Sequence, residues 1–277
     1  MQSHDLKACN SENQKEKKMM GILEKMRLDG KVTFVTGGAR GIGKSIATAI
    51  AEAGSDVAIV DIDLEESQQT ADEIAQATGV KTMAVKADVS NPDDINKMIE
   101  AILNKFGKID VAFCNAGICM NIPAEEMTYE QWKKVIDINL TGVFLTSQAA
   151  AKVMIKQGRG SIINTASMSG HIVNVPQPQS SYNASKAGVI QLTKSMAIEF
   201  AKKNVRVNSI SPGYIGTELT LNSPSLKPLI EQWNAMAPLG RMGRPDELQA
   251  IAVYLAGDTS DFTTGSDFII DGAFTCF

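Results

Sequence analysis

Histidine is almost absent from this sequence, which contains only His4 and His171 among its 277 residues. A Ser-His-Asp triad or a histidine-ligated metal would have to use His171, and the residues around it form no catalytic or metal-binding signature. We therefore expect no metal site, and we expect the chemistry of the protein to use other acids and bases.

Basic charge and long apolar runs are also missing. The net charge is −4 and the pI is near 5.4, whereas a nucleic-acid partner requires a clustered basic face. No apolar run approaches the roughly 18 residues of a membrane span, and the polar start of the chain lacks the apolar core of a secretory signal. The cysteines stand without metal-ligand spacing, which favours reduced thiols. They are Cys9, Cys114, Cys119 and Cys276. We expect a cytoplasmic protein that binds neither nucleic acid nor a membrane.

Short apolar, β-branched runs alternate with helical patterns from Lys31 onward. Residues 1–28 before them are polar, and we interpret them as an extension with one short amphipathic helix. Alternating apolar strands and helices indicate a parallel sheet covered on both faces. No linker or repeat divides residues 29–277, so we predict a single doubly wound α/β domain. Strands are predicted at 32–36, 56–61, 81–88, 109–115, 161–167, 205–212 and 267–271, with long helices near 128–157 and 182–203.

The stretch TGGARGIGKS at residues 36–45 fits two different phosphate-binding loops. Gly38 followed by GKS at 43–45 fits the GxxxxGK[ST] loop of proteins that bind nucleoside triphosphates. The same residues taken as TGxxxGxG fit the glycine-rich turn that opens a dinucleotide-binding βαβ unit. Asp61, which closes the second predicted strand, is compatible with both loops, because it can bind ribose hydroxyls in one and Mg²⁺ in the other.

Four further motifs follow predicted strands and should meet at the carboxyl edge of the sheet. They are NAG at 115–117, the serine at 167, YNASK at 182–186 and PGYIGT at 212–217. With TGxxxGxG before them, they make the sequence resemble the short-chain dehydrogenase/reductase family over residues 29–277. The resemblance implies one Rossmann domain with a parallel sheet of about seven strands and helices on both faces. It also implies a bound nicotinamide dinucleotide, so that the triphosphate-loop match is a coincidence.

Tyr182 and Lys186 are four residues apart, so on a helix they share one face. A free tyrosine has a pKa of about 10, which is too high for efficient proton exchange at neutral pH. The Lys186 ammonium and the charge of an oxidised nicotinamide would favour the phenolate, and we therefore expect a lowered pKa for Tyr182. The resemblance implies that Tyr182 is the general acid/base and that Lys186 tunes it and binds the ribose.

The stretch TASMSG offers two serines for orienting the substrate oxygen toward Tyr182. The usual family spacing of about 13 residues favours Ser169, whereas Ser167 stands directly at the end of a predicted strand, as the family pattern requires. Relatives with a similar loop carry two extra residues there, and we choose Ser167, with Ser169 as a locally bonded loop hydroxyl. Asn139 in INLTG matches the family asparagine that holds a water in the proton relay, although a buried, backbone-bonded asparagine is the alternative.

The choice of cofactor depends on Asp61, because a carboxylate accepts hydrogen bonds from free ribose hydroxyls and repels a 2′-phosphate. Arg40 is a competing signal, since a basic residue before the second glycine occurs in relatives that prefer NADP. Asp61 is the more direct contact, and we expect NAD. The residues that the resemblance assigns to cofactor binding are Gly37, Arg40, Gly41, Ile42, Gly43, Asp61, Ile62, Asp88, Val89, Asn115, Ala116, Gly117, Tyr182, Lys186, Pro212, Gly213, Ile215 and Thr217.

The substrate should be a small secondary alcohol or ketone, bound by the loops at 171–181 and 214–241. The stretch SMSGHIVNVPQPQ resembles that of sugar-alcohol and ketose dehydrogenases and of carbonyl reductases. Apolar residues in these loops make a steroid equally compatible, namely Ile172, Val173, Val175, Pro176, Leu219 and Leu221.

Two other functions are compatible with the sequence. A 3-oxoacyl reductase of the fatty-acid type is one alternative, although the chain shows no basic patch for an acidic carrier protein. A non-catalytic sensor of NAD is the other, although such proteins generally lose the tyrosine or the lysine. The resemblance also implies a homotetramer, in which Met196 and Phe200 are candidate interface residues.

Overall fold

The computed structural model of the protein describes residues 21–276, and within them a single parallel sheet of seven strands forms the centre of the fold. Its strands are β1 (Val32–Thr36), β2 (Asp56–Asp61), β3 (Thr82–Lys86), β4 (Val111–Cys114), β5 (Gly160–Thr165), β6 (Val205–Pro212) and β7 (Asp267–Ile270). The strand order is β3-β2-β1-β4-β5-β6-β7, and every neighbouring pair is parallel. The predicted doubly wound α/β domain is confirmed, and β1, β2 and β6 have the predicted bounds.

Helices cover both faces of this sheet. They are α1 (Ile22–Lys25), α2 (Gly41–Glu52), α3 (Leu64–Thr78), α4 (Pro92–Phe106), α5 (Tyr129–Ile136), α6 (Gly142–Gln157), α7 (Ser180–Ala201), α8 (Glu218–Leu221), α9 (Lys227–Met236) and α10 (Gln249–Ala256). One face of the sheet packs its buried Phe34, Val60 and Ile162 against α4, α6 and α7. The other packs Val35, Ile59 and Phe113 against α2, α3 and α10. Because helices cover both faces of the sheet, its strands carry apolar residues on both faces and do not alternate apolar with polar residues.

Local signals in the sequence set several helix boundaries. Asn91 caps α4 by accepting a hydrogen bond from the Asp93 amide, and Pro92 occupies the first helical position. The helix ends at Gly107, whose φ of 80° lies in the left-handed region that glycine tolerates. The predicted helix near 128–157 begins with a capping box at Thr128 and Gln131.

That long helical segment is interrupted by a π-helical turn at Asp137–Thr141, between α5 and α6. Sequence periodicity predicts no such widening, which is frequent at functional sites. By length and composition, Tyr129–Gln157 would be apolar enough to cross a membrane. In the fold it is a core helix instead, because Val143, Ala150 and Met154 are buried against the sheet.

The residues before β1 join the domain at Leu28, which is fully buried and donates its amide hydrogen to the Ala53 carbonyl at 2.7 Å. The short helix expected near the end of the extension is present as α1. The remaining part of the predicted extension, including His4 and Cys9, lies outside the described residues. The strand order reverses between β1 and β4, and ligands of open α/β sheets bind in the crevice at such a point.

Candidate active site

The glycine-rich loop between β1 and α2 is shaped for close backbone approach. Gly37 and Gly41 have φ values of 62° and 56°, which side chains other than glycine rarely adopt. A Cβ on Gly37 would lie 2.9 Å from the Ala116 Cα, and one on Gly43 would collide with the Gly37 carbonyl oxygen. Helix α2 begins at Gly41, so its positive N-terminal end faces this loop. The loop therefore fits a pyrophosphate, as the dinucleotide interpretation requires.

Asn115, the first residue of the NAG motif, forms hydrogen bonds that connect the ends of β1, β4 and β5. Its Nδ2 donates to the carbonyl oxygens of Thr36 and Gly37 at 3.1 and 3.2 Å, and its Oδ1 accepts from the Thr165 hydroxyl at 3.2 Å. The Thr36 hydroxyl in turn accepts the amide hydrogens of Asn115 and Ala116. These bonds fix the ends of β1, β4 and β5 relative to one another beneath the glycine loop.

The acidic residue at the end of β2 lies beside that loop. Asp61 accepts the Ile62 amide at 2.8 Å and, more weakly, the Ala39 amide at 3.4 Å. Arg40 points to Glu66 on α3 instead, with 2.9 Å between its guanidinium and the carboxylate. The carboxylate of Asp61 is therefore not neutralised by Arg40.

The other residues assigned to the adenosine end are arranged as follows. Ile62 is 62 % exposed next to Asp61 and can present an apolar wall. The Asp88 carboxylate accepts from the amide and hydroxyl of Ser90. Val89 is buried against Gly142 at the start of α6.

Ser167, Tyr182 and Lys186 come together at the carboxyl ends of β5 and β6. Ser167 follows β5, its hydroxyl accepts the Ser169 amide at 3.1 Å, and it lies near enough to the Tyr182 hydroxyl to oppose part of the rise in the pKa of Tyr182. Lys186 is buried with its Nζ 5.6 Å from the centroid of the Tyr182 ring. Ser169, the alternative serine, donates to Asn174 Oδ1 at 2.7 Å and is a locally bonded loop hydroxyl. The geometry favours Ser167 over Ser169 as the partner of Tyr182.

In the protein without cofactor the pKa of Tyr182 is raised rather than lowered, so Lys186 alone does not produce the expected shift. Burial raises the pKa of Tyr182 to about 12, and the nearby Ser167 hydroxyl opposes this only in part. Lys186 does not reverse the effect, since its ammonium lies over the ring and donates to the Thr165 carbonyl. Burial also lowers the pKa of Lys186, to about 8. Burial therefore disfavours the charged form of both groups, which face each other across one turn of α7.

Asn139 lies in the π-helical turn and is fully buried. Its carboxamide accepts the Ile118 amide and donates to the Ile118 carbonyl, both at 2.8 Å. Its Nδ2 also lies 3.2 Å from the Ser185 hydroxyl. This is the buried, backbone-bonded arrangement, and it holds the loop after NAG against α7.

Ser167 and Tyr182 line a cleft of about 340 Å³. Several of the residues predicted to bind the nicotinamide line it, namely Ile42, Pro212, Gly213, Ile215 and Thr217. Thr217 also comes close to the glycine loop, because a Cβ on Gly41 would lie 3.3 Å from its Cγ2. The glycine loop and the loop after β6 thus meet across the switch point of the sheet.

The loop at 171–181 presents its polar residues to the cleft and its apolar residues to solvent. Asn174, Gln177 and Gln179 are buried and line the cleft, whereas Val173 is 74 % exposed and Val175 is 50 % exposed. The expected apolar lid residues Leu219 and Leu221 are exposed as well. None of these apolar side chains lines the cleft, so the apolar wall considered for a steroid is not formed by them.

Sequence reasoning missed two aromatic residues of the cleft. Tyr214 follows the Pro-Gly pair after β6, and Trp233 lies on α9. Their rings are stacked with centroids 4.2 Å apart, and Phe274 packs edge-on against Tyr214. The alternation of Val and Pro with Asn and Gln in VNVPQPQ was a usable signal for the polar lining, but no local signal marks Trp233.

Comparisons with known proteins show which family the chain resembles. A family model described as enoyl-(acyl carrier protein) reductase matches residues 37–275. The chain is 42% identical over 258 residues to a sorbose reductase of Candida albicans, covering 92% of this chain and 90% of that protein. It is 41% identical over 261 residues to a probable NADP-dependent mannitol dehydrogenase of Yarrowia lipolytica, covering 92% and 91%.

A solved structure is similar over the same range. The crystal structure of a short-chain type dehydrogenase/reductase from Mycobacterium marinum superimposes with a TM-score of 0.88 and is 47% identical, covering 93% of this chain and all of that one.

Proposed function

This chain belongs to the short-chain dehydrogenase/reductase family of oxidoreductases, and from that premise we propose that it is an NAD(H)-dependent polyol dehydrogenase that interconverts a ketose and a sugar alcohol. The observation that carries the proposal is the position of Ser167 and Tyr182 in a cleft whose loop at 171–181 turns amide side chains inward. These amide groups suit the hydroxyl groups of a polyol, while Met168, Leu226 and Met242, which also line the cleft, can contact its carbon chain.

We propose the following roles for the catalytic residues. When bound, the cofactor supplies or accepts the hydride at the carbonyl carbon. Ser167 donates a hydrogen bond to the substrate oxygen and holds it beside Tyr182. Tyr182 gives its phenolic proton to that oxygen during reduction and removes it during oxidation. Lys186 supports the phenolate when its ammonium is protonated, and Asn139 holds the neighbouring loop in place.

Support for this direction of proton transfer comes from the environment of Tyr182. Because its pKa is raised to about 12, Tyr182 is a phenol at neutral pH in the protein without cofactor. A phenol is the form that ketone reduction requires. Oxidation requires the phenolate, which the positive charge of an oxidised nicotinamide would favour.

NAD(H) is the cofactor that the adenosine end supports best. A 2′-phosphate would face the carboxylate of Asp61, with Asp63 two residues on. Arg40, the one basic residue of the glycine loop, is already paired with Glu66. The Yarrowia relative is named as NADP-dependent, so the preference of this chain is a proposal about its own residues.

The alternatives considered from the sequence are less well supported. An acyl-carrier-protein-linked substrate would present an apolar acyl chain to buried amide groups. A purely NAD-sensing protein has no need for a Tyr182 beside Ser167 at the mouth of a cleft.

A homotetramer in the cytoplasm is part of the proposal. Of the interface candidates, Met196 is buried within the protomer's own core and Phe200 is partly buried, so neither supports an interface. Exposed apolar side chains do lie on the same helical segments, with Ile198 81 % exposed on α7 and Trp132 and Phe144 exposed on α5 and α6. Light scattering after size exclusion tests this, and a monomeric mass of 29.7 kDa would contradict it.

The experiment that tests the function follows NADH and NADPH oxidation at 340 nm with fructose, sorbose and a steroid ketone. We expect turnover of a ketose, with NADH preferred. Turnover of the steroid alone would overturn the proposed substrate class, and faster oxidation of NADPH would overturn the role of Asp61.

A further inference from the structure

A series of hydrogen-bonded polar side chains connects α9 to the loop at 171–181 and to Ser169. Trp233 on α9 donates its indole hydrogen to Gln177 Oε1 at 3.1 Å. Gln177 Nε2 donates to the Tyr214 hydroxyl at 2.8 Å, and Asn174 Nδ2 donates to the same oxygen at 3.0 Å. Trp233, Gln177 and Asn174 are each less than a tenth exposed.

The indole of Trp233 fixes which atom donates in the hydrogen bonds that follow it. An indole N–H can only donate, so the carboxamide of Gln177 must turn its oxygen to Trp233 and its nitrogen to Tyr214. On the other side, Asn174 uses its oxygen to accept from the Ser169 hydroxyl at 2.7 Å, so its nitrogen also faces Tyr214. Both lone pairs of the Tyr214 oxygen are therefore occupied by amide donors.

Tyr214 is left with a hydroxyl proton to donate. No side chain or carbonyl group in residues 21–276 accepts it, and Tyr214 lines the cleft. The Tyr214 hydroxyl is thus a fixed donor whose remaining partner must come from the cleft itself.

Gln179 supplies the matching acceptor. Its Nε2 donates to the Ser169 hydroxyl at 3.2 Å and to Asn183 Oδ1 at 2.8 Å, which uses both of its hydrogens. Its Oε1 receives only a weak contact from the Cys119 thiol, at 3.7 Å. A buried carboxamide oxygen therefore lines the cleft with almost no partner of its own.

We infer that Tyr214 and Gln179 determine specificity by binding hydroxyl groups of the substrate next to the reacting carbon. A hydroxyl group donates one hydrogen and accepts others, so a polyhydroxylated ketone satisfies both positions, whereas an apolar ketone leaves both unpaired. A site built to hydrogen-bond a hydroxyl rejects analogues that lack it, because its own polar groups then stay buried and unsatisfied. This inference rests on the proposed function and assigns its substrate contacts.

The test compares Tyr214→Phe and Gln179→Leu with wild type, using NADH with fructose or sorbose and with cyclohexanone, a ketone without a hydroxyl group. Tyr214→Phe keeps the ring stacked on Trp233. We expect the KM for the ketose to rise about tenfold for each variant, with kcat within about twofold of wild type. The kcat/KM for cyclohexanone should rise or stay equal, because each variant removes a polar group that this ketone leaves unpaired. Tyr254→Phe, which loses a hydroxyl bonded to Thr263 far from the cleft, is the matched control and should change nothing.

Each result has a defined meaning. Failure of wild type to reduce any ketose with NADH would refute the proposed function. If wild type reduces ketoses but both variants lose kcat equally on ketose and cyclohexanone, these hydrogen-bonded side chains only position the loop at 171–181 and the inference is wrong. An unchanged KM in both variants would also overturn it. Thermal melting of each variant checks folding, and Gln179→Leu decides alone if Tyr214→Phe is unfolded.

Discussion

The Lys186 ammonium donates a hydrogen bond of 2.7 Å to the backbone carbonyl oxygen of Thr165. Thr165 is the last residue of β5, and Ser167 lies two residues beyond it. The bond therefore fixes the middle of α7 to the strand end that carries Ser167, and it does so with a buried cation. Burial of that cation should lower the free energy of unfolding, because no carboxylate within residues 21–276 forms an ion pair with it.

The first prediction concerns the pH dependence of stability. Lys186 has a folded-state pKa lowered to about 8, against 10.5 for the free side chain. Between these values the unfolded chain binds more protons than the folded one, so this group makes stability rise with pH. Below pH 8 its burial opposes folding by about 3 kcal/mol. Lys186→Met should therefore be more stable than wild type at pH 7, and this advantage should shrink by pH 10.

Urea unfolding without cofactor, at one protein concentration and at several pH values, measures the difference. The lost bond to Thr165 offsets the advantage of the variant by about 1 kcal/mol at every pH, and so does not affect the trend. An advantage that grows with pH would contradict the assignment of a buried, destabilised ammonium.

The second prediction concerns the proton donor. Tyr182→Phe removes the hydroxyl beside Ser167 and leaves the glycine loop and Asp61 intact. Because general acid catalysis contributes at least about a hundredfold, turnover of a ketose should fall by that factor or more. NADH affinity, measured by fluorescence titration, should stay within about twofold. Undiminished turnover would refute the mechanism, and Tyr254→Phe serves as control.

The third prediction concerns the pairing of Arg40 with Glu66. Glu66→Gln should release the Arg40 guanidinium, which can then bind a 2′-phosphate. We expect kcat/KM with NADPH to rise about fivefold, while the value with NADH stays within about twofold. Glu65→Gln removes the same charge from the same helical turn and is the control. Equal gains in the two variants would show that net charge alone is responsible.

The fourth prediction concerns Asp267 at the start of β7. Its carboxylate accepts from the hydroxyls of Ser209 and Ser211 and lies 2.7 Å from His171 Nε2. The serine hydroxyls donate to the carboxylate and not to the imidazole, so this group is no nucleophilic triad. Asp267→Ala leaves buried groups unpaired and should cost about 3 kcal/mol in the free energy of unfolding.

Urea unfolding at neutral pH measures this cost. Asp72→Ala on the exposed surface of α3 should change the free energy of unfolding by less than about 0.5 kcal/mol. Equal effects of the two substitutions would show that the Asp267 cluster contributes nothing to stability.

Much of the fold could be predicted because it depends on local geometry. Buried parallel strands need apolar side chains on both faces, so the first and last residues of β1, β2 and β6 were predicted correctly. The glycine turn requires positive φ at Gly37 and Gly41, and the spacing of Tyr182 and Lys186 puts them on one face of any helix. These features follow from the backbone alone.

Other features of the site depend on segments that lie far apart in the sequence. The raised pKa of Tyr182 results from burial among residues that are distant in the sequence, which the spacing of motifs does not predict. The apolar residues of the loop at 171–181 suggested an apolar wall, yet the fold turns Asn174, Gln177 and Gln179 inward. Trp233 and Tyr214, some 40 to 60 residues further along, supply the hydrogen-bond partners of Asn174 and Gln177, whereas Gln179 donates to Ser169 and Asn183.

The sheet, the glycine-rich loop and the placement of Tyr182 and Lys186 on one helix face were predictable, since each is set by residue type and local spacing. Three further properties required the folded chain, namely which side chains of the loop at 171–181 line the cleft, which carboxylate pairs with Arg40 and how far burial shifts the pKa values of Tyr182 and Lys186. Those properties depend on contacts between distant segments, and the free energy of a buried polar group is set by its partners rather than by its neighbours along the chain.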